Sequence, residues 1–165
     1  MEIEFKKLVE IVFDEMVPKL ETNKGLTIFV RERAKFEGWL KVELCEILSK
    51  YFSSVIPEKD RIDIVFDNWA IELKTVNTNY RYHGVKNKTR PIKTNRKGVI
   101  KDIEKLSGMA SPPNKAVLFV VYPVEHDHRY WSKHLGEILE KLSDIRYKEF
   151  RFRGGFLGVI YFGLV

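Results

Sequence analysis

Two carboxylates and an amine fall where a β-hairpin would gather them on one face. The stretch "RIDIVFDNWAIELKTV" (61–76) carries Asp63 before a short turn, and Glu72 and Lys74 after it. Side chains alternate between faces in extended chain, so Ile62, Ile64 and Phe66 share one face, and Arg61, Asp63 and Val65 the other. Further on, Ile71 and Leu73 point one way and Ala70, Glu72 and Lys74 the opposite way. Asp67-Asn68 reads as a two-residue turn, because both residue types tolerate positive φ. That turn sets Phe66 against Trp69, Ile64 against Ile71, Asp63 against Glu72 and Arg61 against Lys74. Opposed Cβ atoms are about 5 Å apart, and like charges there are destabilising. A divalent cation between the carboxylates would reverse the sign of that interaction. The plainer alternative is a solvated face on which Asp63–Lys74 and Arg61–Glu72 pair diagonally.

A third carboxylate comes from the helical stretch that precedes the hairpin. At about 100° per residue over 36–51, Phe36, Trp39, Leu40, Leu44, Ile47, Leu48 and Tyr51 form one apolar arc. Glu43 lies inside that arc, where a carboxylate is costly unless paired or bound to a cation. A salt bridge to a buried lysine or arginine is one solution and a cation site is the other. Glu37 and Glu46 lie at the margins of the arc and read as solvated.

These residues need elements to hold them. Residues 3–20 have apolar positions at helical spacing. A second helix is expected from about Thr27 to Tyr51, with an interruption at Gly38. "SSVIPEKD" suits a short edge strand ending at Pro57, followed by the hairpin. Residues 77–97 are polar and basic and read as a loop. A short helix over 98–109, a buried strand over 115–122, a helix over 128–142 and one or two strands broken at Gly154-Gly155 complete the chain. Helices, a three-strand meander, helix, strand, helix and strand imply an α/β fold with a mixed sheet flanked by helices, in a single domain over 1–165.

The order of a helix with Glu43, then Asp63, then Glu72-Leu73-Lys74, resembles the PD-(D/E)XK nuclease superfamily, the restriction-endonuclease-like fold. The residues that carry the resemblance are "GWLKVELCEIL", "DIVF" and "IELKT", and it covers roughly Phe36 to Tyr122. One departure is Ile62, which stands where the signature has a proline before Asp63. The resemblance implies a Mg²⁺-dependent nuclease, with Mn²⁺ able to substitute, hydrolysing phosphodiester bonds in DNA rather than RNA. It implies Asp63, Glu72 and the Leu73 backbone carbonyl as metal ligands, Glu43 as an assistant to them, and Lys74 as the catalytic amine. These roles fit the chemistry: Mg²⁺ takes one or two carboxylates plus waters and phosphate, and a lysine can orient water or neutralise a phosphorane. The alternative is a catalytically inactive nuclease-like module that binds nucleic acid or a protein.

Beyond the hairpin the chain carries Arg81, Lys86, Lys88, Arg90, Lys93, Arg96, Lys97 and Lys101 with no acidic residue before Asp102. So long a basic run, with Tyr80, Tyr82 and His83 at its start, reads as a phosphate-contacting flap, against the alternative of a plain solvated loop. "EHDHRYW" offers His126 and His128, a weak metal signal without further ligands. No G-x-S-x-G, P-loop or G-x-G-x-x-G is present, so hydrolase-triad and nucleotide-binding readings lack support.

The 165 residues carry 29 basic and 23 acidic side chains, a net charge of +6, so where the excess sits matters more than its size. A single cysteine, Cys45, excludes an intramolecular disulfide and a CxxC zinc site. The acidic, amphipathic start is unlike a targeting peptide, and no apolar run reaches about 18 residues. A cytoplasmic protein without membrane contact is expected. A homodimer would let two sites cut both strands of a duplex.

Overall fold

The computed structural model describes residues 3–87 and 91–165. Twelve elements follow in order: α1 (Phe5–Thr22), α2 (Lys24–Arg31), α3 (Glu37–Ser49), β1 (Val55–Pro57), a short 3₁₀ turn (Lys59–Arg61), β2 (Ile64–Phe66), β3 (Trp69–Asn77), α4 (Ile92–Ser107), β4 (Asn114–Tyr122), α5 (Arg129–Leu139), β5 (Asp144–Arg151) and β6 (Leu157–Leu164). The strands form one mixed six-stranded sheet in the order β1-β2-β3-β4-β6-β5. β3 and β4 run parallel, and every other neighbouring pair is antiparallel.

Helices cover both faces. Leu8, Val12, Met16 and Leu20 of α1 and Leu40, Leu44 and Leu48 of α3 pack with Ile71, Leu73, Leu118 and Val120 on one side of the sheet. Val99 and Ile103 of α4 and Trp131, Leu135 and Ile138 of α5 pack with Val76, Val117, Phe119 and Val121 on the other. β4 lies between the two layers, which is why its sequence is a nearly unbroken apolar run. Among the described residues no helix is long and apolar enough to cross a membrane.

Three boundaries differ from the sequence expectations. The long second helix is two helices, and the break falls at 32–36; Gly38 lies inside α3. Arg33 takes a left-handed φ of 54° there, and its buried guanidinium serves the next segment. Its Nε donates to the Lys86 carbonyl at 2.5 Å, and its other nitrogens donate to the carbonyls of Thr78 and Tyr80. A buried charge can be kept only if its donors are satisfied, and the carbonyls of Thr78, Tyr80 and Lys86 supply the acceptors. The basic segment is thus only partly a loop. α4 begins at Ile92, so Lys93, Arg96, Lys97 and Lys101 are helical, while Lys88 and Arg90 lie outside the described residues. Finally, β2 starts at Ile64. Arg61 sits in the 3₁₀ turn with φ 65° and is not paired across from Lys74.

Candidate active site

The hairpin register is the expected one, with Phe66 opposite Trp69, Val65 opposite Ala70 and Ile64 opposite Ile71, and Asp67 adopts φ 42° in the turn. β2 is only three residues long and pairs no further than Ile71, whereas β3 continues to Asn77. Past Ile71 that edge of β3 therefore has no strand partner. Its exposed N–H groups must be satisfied by something else.

Two carboxylates do so. Asp63 Oδ2 accepts the Leu73 N–H at 2.8 Å, and Glu37 Oε1 accepts the Thr75 N–H at 3.0 Å. In a strand the N–H and C=O of one residue face the same neighbour. The Leu73 carbonyl therefore opens onto the same edge, between the two carboxylates. Asp63 arrives from the end of β2, and Glu37 arrives from the first turn of α3, which packs over this end of the sheet.

Glu72 and Lys74 project from β3 toward α4. Glu72, with its side chain 5% exposed, pairs with Lys105, which also donates to the Arg61 carbonyl. The Lys74 ammonium lies 3.1 Å from the carboxylate of Asp102. Gly98, one turn before Asp102, makes room for that lysine, since a Cβ there would lie 3.2 Å from Lys74 Cε. Asp63 is held on its other oxygen by Lys41 at 2.8 Å, and Lys41 also pairs with Glu58. Lysines from α3 and α4 thus close on the two carboxylates from both layers. Neither diagonal hairpin pair forms.

The Asp63 and Glu72 carboxylates lie close enough to shift each other's ionisation. Burial pushes Glu72 up to about 7, and the neighbouring Asp63 pushes in the same direction against the pull of Lys105. Burial also works against ionisation of Asp63. The hydrogen bond from Glu72, the Lys41 ammonium and the Leu73 N–H outweigh it and hold Asp63 below the ordinary value. Glu72 is thus the carboxyl of the pair that keeps a proton up to near neutral pH, while Asp63 is ionised. Burial raises Asp102, with Lys74 opposing. Burial works against the charge on Lys74, but Asp102, joined by Glu37 and Asp63, outweighs it and holds the ammonium above its ordinary value.

Of the residues singled out from sequence, Asp63, Glu72, Lys74 and the Leu73 carbonyl come together. Glu43 does not join them. Its carboxylate faces α1, 2.8 Å from Lys19, and forms the structural ion pair that was the alternative reading. The reason is that α3 is covered by α1 as well as by the sheet, so its inward arc spans two different neighbours. Glu37, read as solvated, is the helix carboxylate that reaches β3. Lys41, Asp102 and Lys105 were also missed. The i, i+4 spacing of Glu37 and Lys41 places them on one flank of α3, a signal available in the sequence once the helix start is known.

The basic residues divide. Arg81, Lys93, Lys97 and Lys101 are exposed, and Lys86 is exposed beside Glu32 at 3.5 Å. Arg96 is committed to α5, with its guanidinium 3.0 Å from both Glu137 and His134 Nδ1. His126 packs on Tyr147 and hydrogen-bonds the Tyr161 hydroxyl at 2.9 Å, and His128 stacks on Tyr80 and caps α5. Among the described residues no group of three or more His, Cys, Asp or Glu side chains is arranged to hold a metal ion. The donor set at the β3 edge is smaller: the Asp63 and Glu72 carboxyl groups, a backbone carbonyl and the nearby Glu37. It suits a hard cation that keeps most of its waters. No protein-family model, curated protein or solved structure matches this chain.

Proposed function

We propose that the chain is a Mg²⁺-dependent nuclease of the restriction-endonuclease-like type, acting on phosphodiester bonds in DNA. The observation that carries this reading is the Asp63–Glu72 pair: a half-buried and a buried carboxylate close enough to perturb each other's ionisation, with Lys74 on the same face of β3 as Glu72, where β3 runs on beyond β2. Burying two acids together costs stability, and a bound divalent cation is the direct compensation. The order α3, a three-strand meander, α4 and parallel β4 supports the same reading.

Asp63, Glu72 and the Leu73 carbonyl would hold the ion, with Glu37 in the helix role first assigned to Glu43. When bound, Mg²⁺ supplies an acidified water and screens the phosphate charge. Lys74, kept protonated and aimed by Asp102, faces the developing phosphorane charge. Lys41 and Lys105, which pair with Asp63 and Glu72, would have to yield those carboxylates to a bound ion, and Glu72 would have to give up its proton.

One observation favours a second reading, a catalytically inactive nuclease-like binding module. Asp63, Glu72 and Asp102 each already have a lysine partner, so the cluster can be neutral without a metal. A cleavage panel separates the two readings. Single-stranded, duplex, forked and four-way DNA are incubated with Mg²⁺, Mn²⁺ or EDTA. Metal-dependent cleavage abolished by Asp63→Ala is expected. DNA binding without cleavage of any substrate in either metal would support the module instead.

A further inference from the structure

At the far end of α4 from the carboxylates lies a cluster of aromatic rings. The Tyr80 ring stacks on His128 with centroids 4.3 Å apart, and Tyr130 stands 6.2 Å from Tyr80 and 5.9 Å from His128. Tyr130 is 50% exposed, and the Arg129 guanidinium sits 4.9 Å from its ring centroid. An exposed ring flanked by a guanidinium offers a flat face on which another π-system can stack.

The helix links this cluster to the site. Val99 and Ile103 point into the sheet, Arg96 faces α5, and Asp102 and Lys105 face Lys74 and Glu72. At about 100° per residue, Lys93, Lys97 and Lys101 then drift across the outer surface, from the α5 flank toward the carboxylate flank, and Lys105 completes the line. From Lys93 to Lys105 the rise is about 18 Å, the length of roughly five stacked nucleotides at about 3.4 Å each. α4 and α5 lie side by side, with Arg96 against His134 and Glu104 against Lys141, which places the start of α5, and so Tyr130, beside the start of α4.

Resting on the nuclease reading above, we propose that the substrate strand is unpaired DNA. Its bases stack on Tyr130 at one end, its phosphates follow the Lys93–Lys97–Lys101 line, and its scissile phosphate lies at Asp63 and Glu72. Stacking on a π-face is open to every base but is blocked when bases are paired inside a duplex. The arrangement thus selects strand form and not sequence.

Fluorescence anisotropy in EDTA tests this without requiring cleavage, using a 12-nucleotide single strand, a duplex with a single-stranded tail and a blunt duplex. The single strand and tailed duplex should bind more tightly than the blunt duplex. Tyr130→Ala should weaken single-strand binding about 5- to 150-fold with an unchanged salt slope, and Tyr130→Phe should restore it. Joint replacement of Lys97 and Lys101 by Ala should flatten the salt slope by about 1.4, at about 0.7 per phosphate of a single strand. Equal binding of blunt duplex and single strand, or wild-type binding by Tyr130→Ala, overturns the proposal. Cleavage in Mg²⁺ distinguishes the two levels. Asp63-dependent cutting indifferent to Tyr130 refutes the unpaired-strand proposal alone, whereas Tyr130-dependent binding with no cutting refutes the nuclease reading, and the scissile-phosphate placement with it, and leaves only the stacking face for an unpaired strand supported.

Discussion

Replacing Glu72 by glutamine should make the metal-free protein more stable at alkaline pH and leave it nearly unchanged in acid. Glu72 is pushed up to about 7 when folded, against 4.5 unperturbed. The folded state therefore binds the Glu72 proton more tightly than the unfolded state does. The stability linked to that proton is fully present below about pH 4.5 and is lost as pH rises through about 7. The slope between those values is about 1.4 kcal/mol per pH unit, which sums to about 2.5 kcal/mol between pH 5 and 8. Lys105, 39% exposed, lets water screen the site, so about 1 kcal/mol is the smallest effect consistent with the geometry. Asp63, held below its ordinary value, is ionised throughout this window and adds no slope of its own. Glutamine stays neutral at every pH, donates to Asp63 and accepts from Lys105. Urea denaturation in EDTA at pH 5, 6, 7 and 8, for wild type and Glu72→Gln, measures the effect as a difference in which all other titrating groups cancel. If that difference stays constant within about 0.5 kcal/mol across the series, the description of Glu72 as the proton-holding carboxyl of the pair is wrong.

Mg²⁺ binding should release about half a proton at pH 7 and nearly a full one at pH 6, because the ion displaces what Glu72 holds; calorimetry in buffers of differing ionisation enthalpy reads this. If the nuclease reading holds, Lys74→Ala should abolish cleavage while DNA affinity in EDTA stays within about threefold, since the amine would act on transition-state charge; a proportional loss of affinity would make it a binding residue. Glu37→Gln should weaken metal-dependent cleavage at least about tenfold, whereas Glu43→Gln should leave cleavage intact. The Glu43 variant should also lose at most about 1 kcal/mol, because Lys19 retains Glu46 as a partner at 3.3 Å. Kinetics and thermal melting of the two variants decide which α3 carboxylate serves the site.

Local patterning was enough for the hairpin. Alternation and the Asp67-Asn68 turn set the register from Ile64 to Ile71, but β2 begins at Ile64, so the strand pairs expected at Asp63–Glu72 and Arg61–Lys74 do not form. The same logic identified β4 as buried on both sides and placed β1 at the edge, ending at Pro57. Tertiary structure decided the partners. Whether a helix carboxylate meets the sheet or another helix depends on how α1 crosses α3, and that crossing turned Glu43 toward Lys19 and Glu37 toward Thr75. Lys41, Asp102 and Lys105 lie 22, 39 and 42 positions from Asp63 along the chain, and no periodicity within one element couples such distant charges. Arg33 likewise found its carbonyls 45 or more residues away, and in doing so ended α2 where propensity alone would have continued the helix. Short-range alternation is written in neighbouring residues. A buried charge takes whatever partner the packing of separate elements brings within reach.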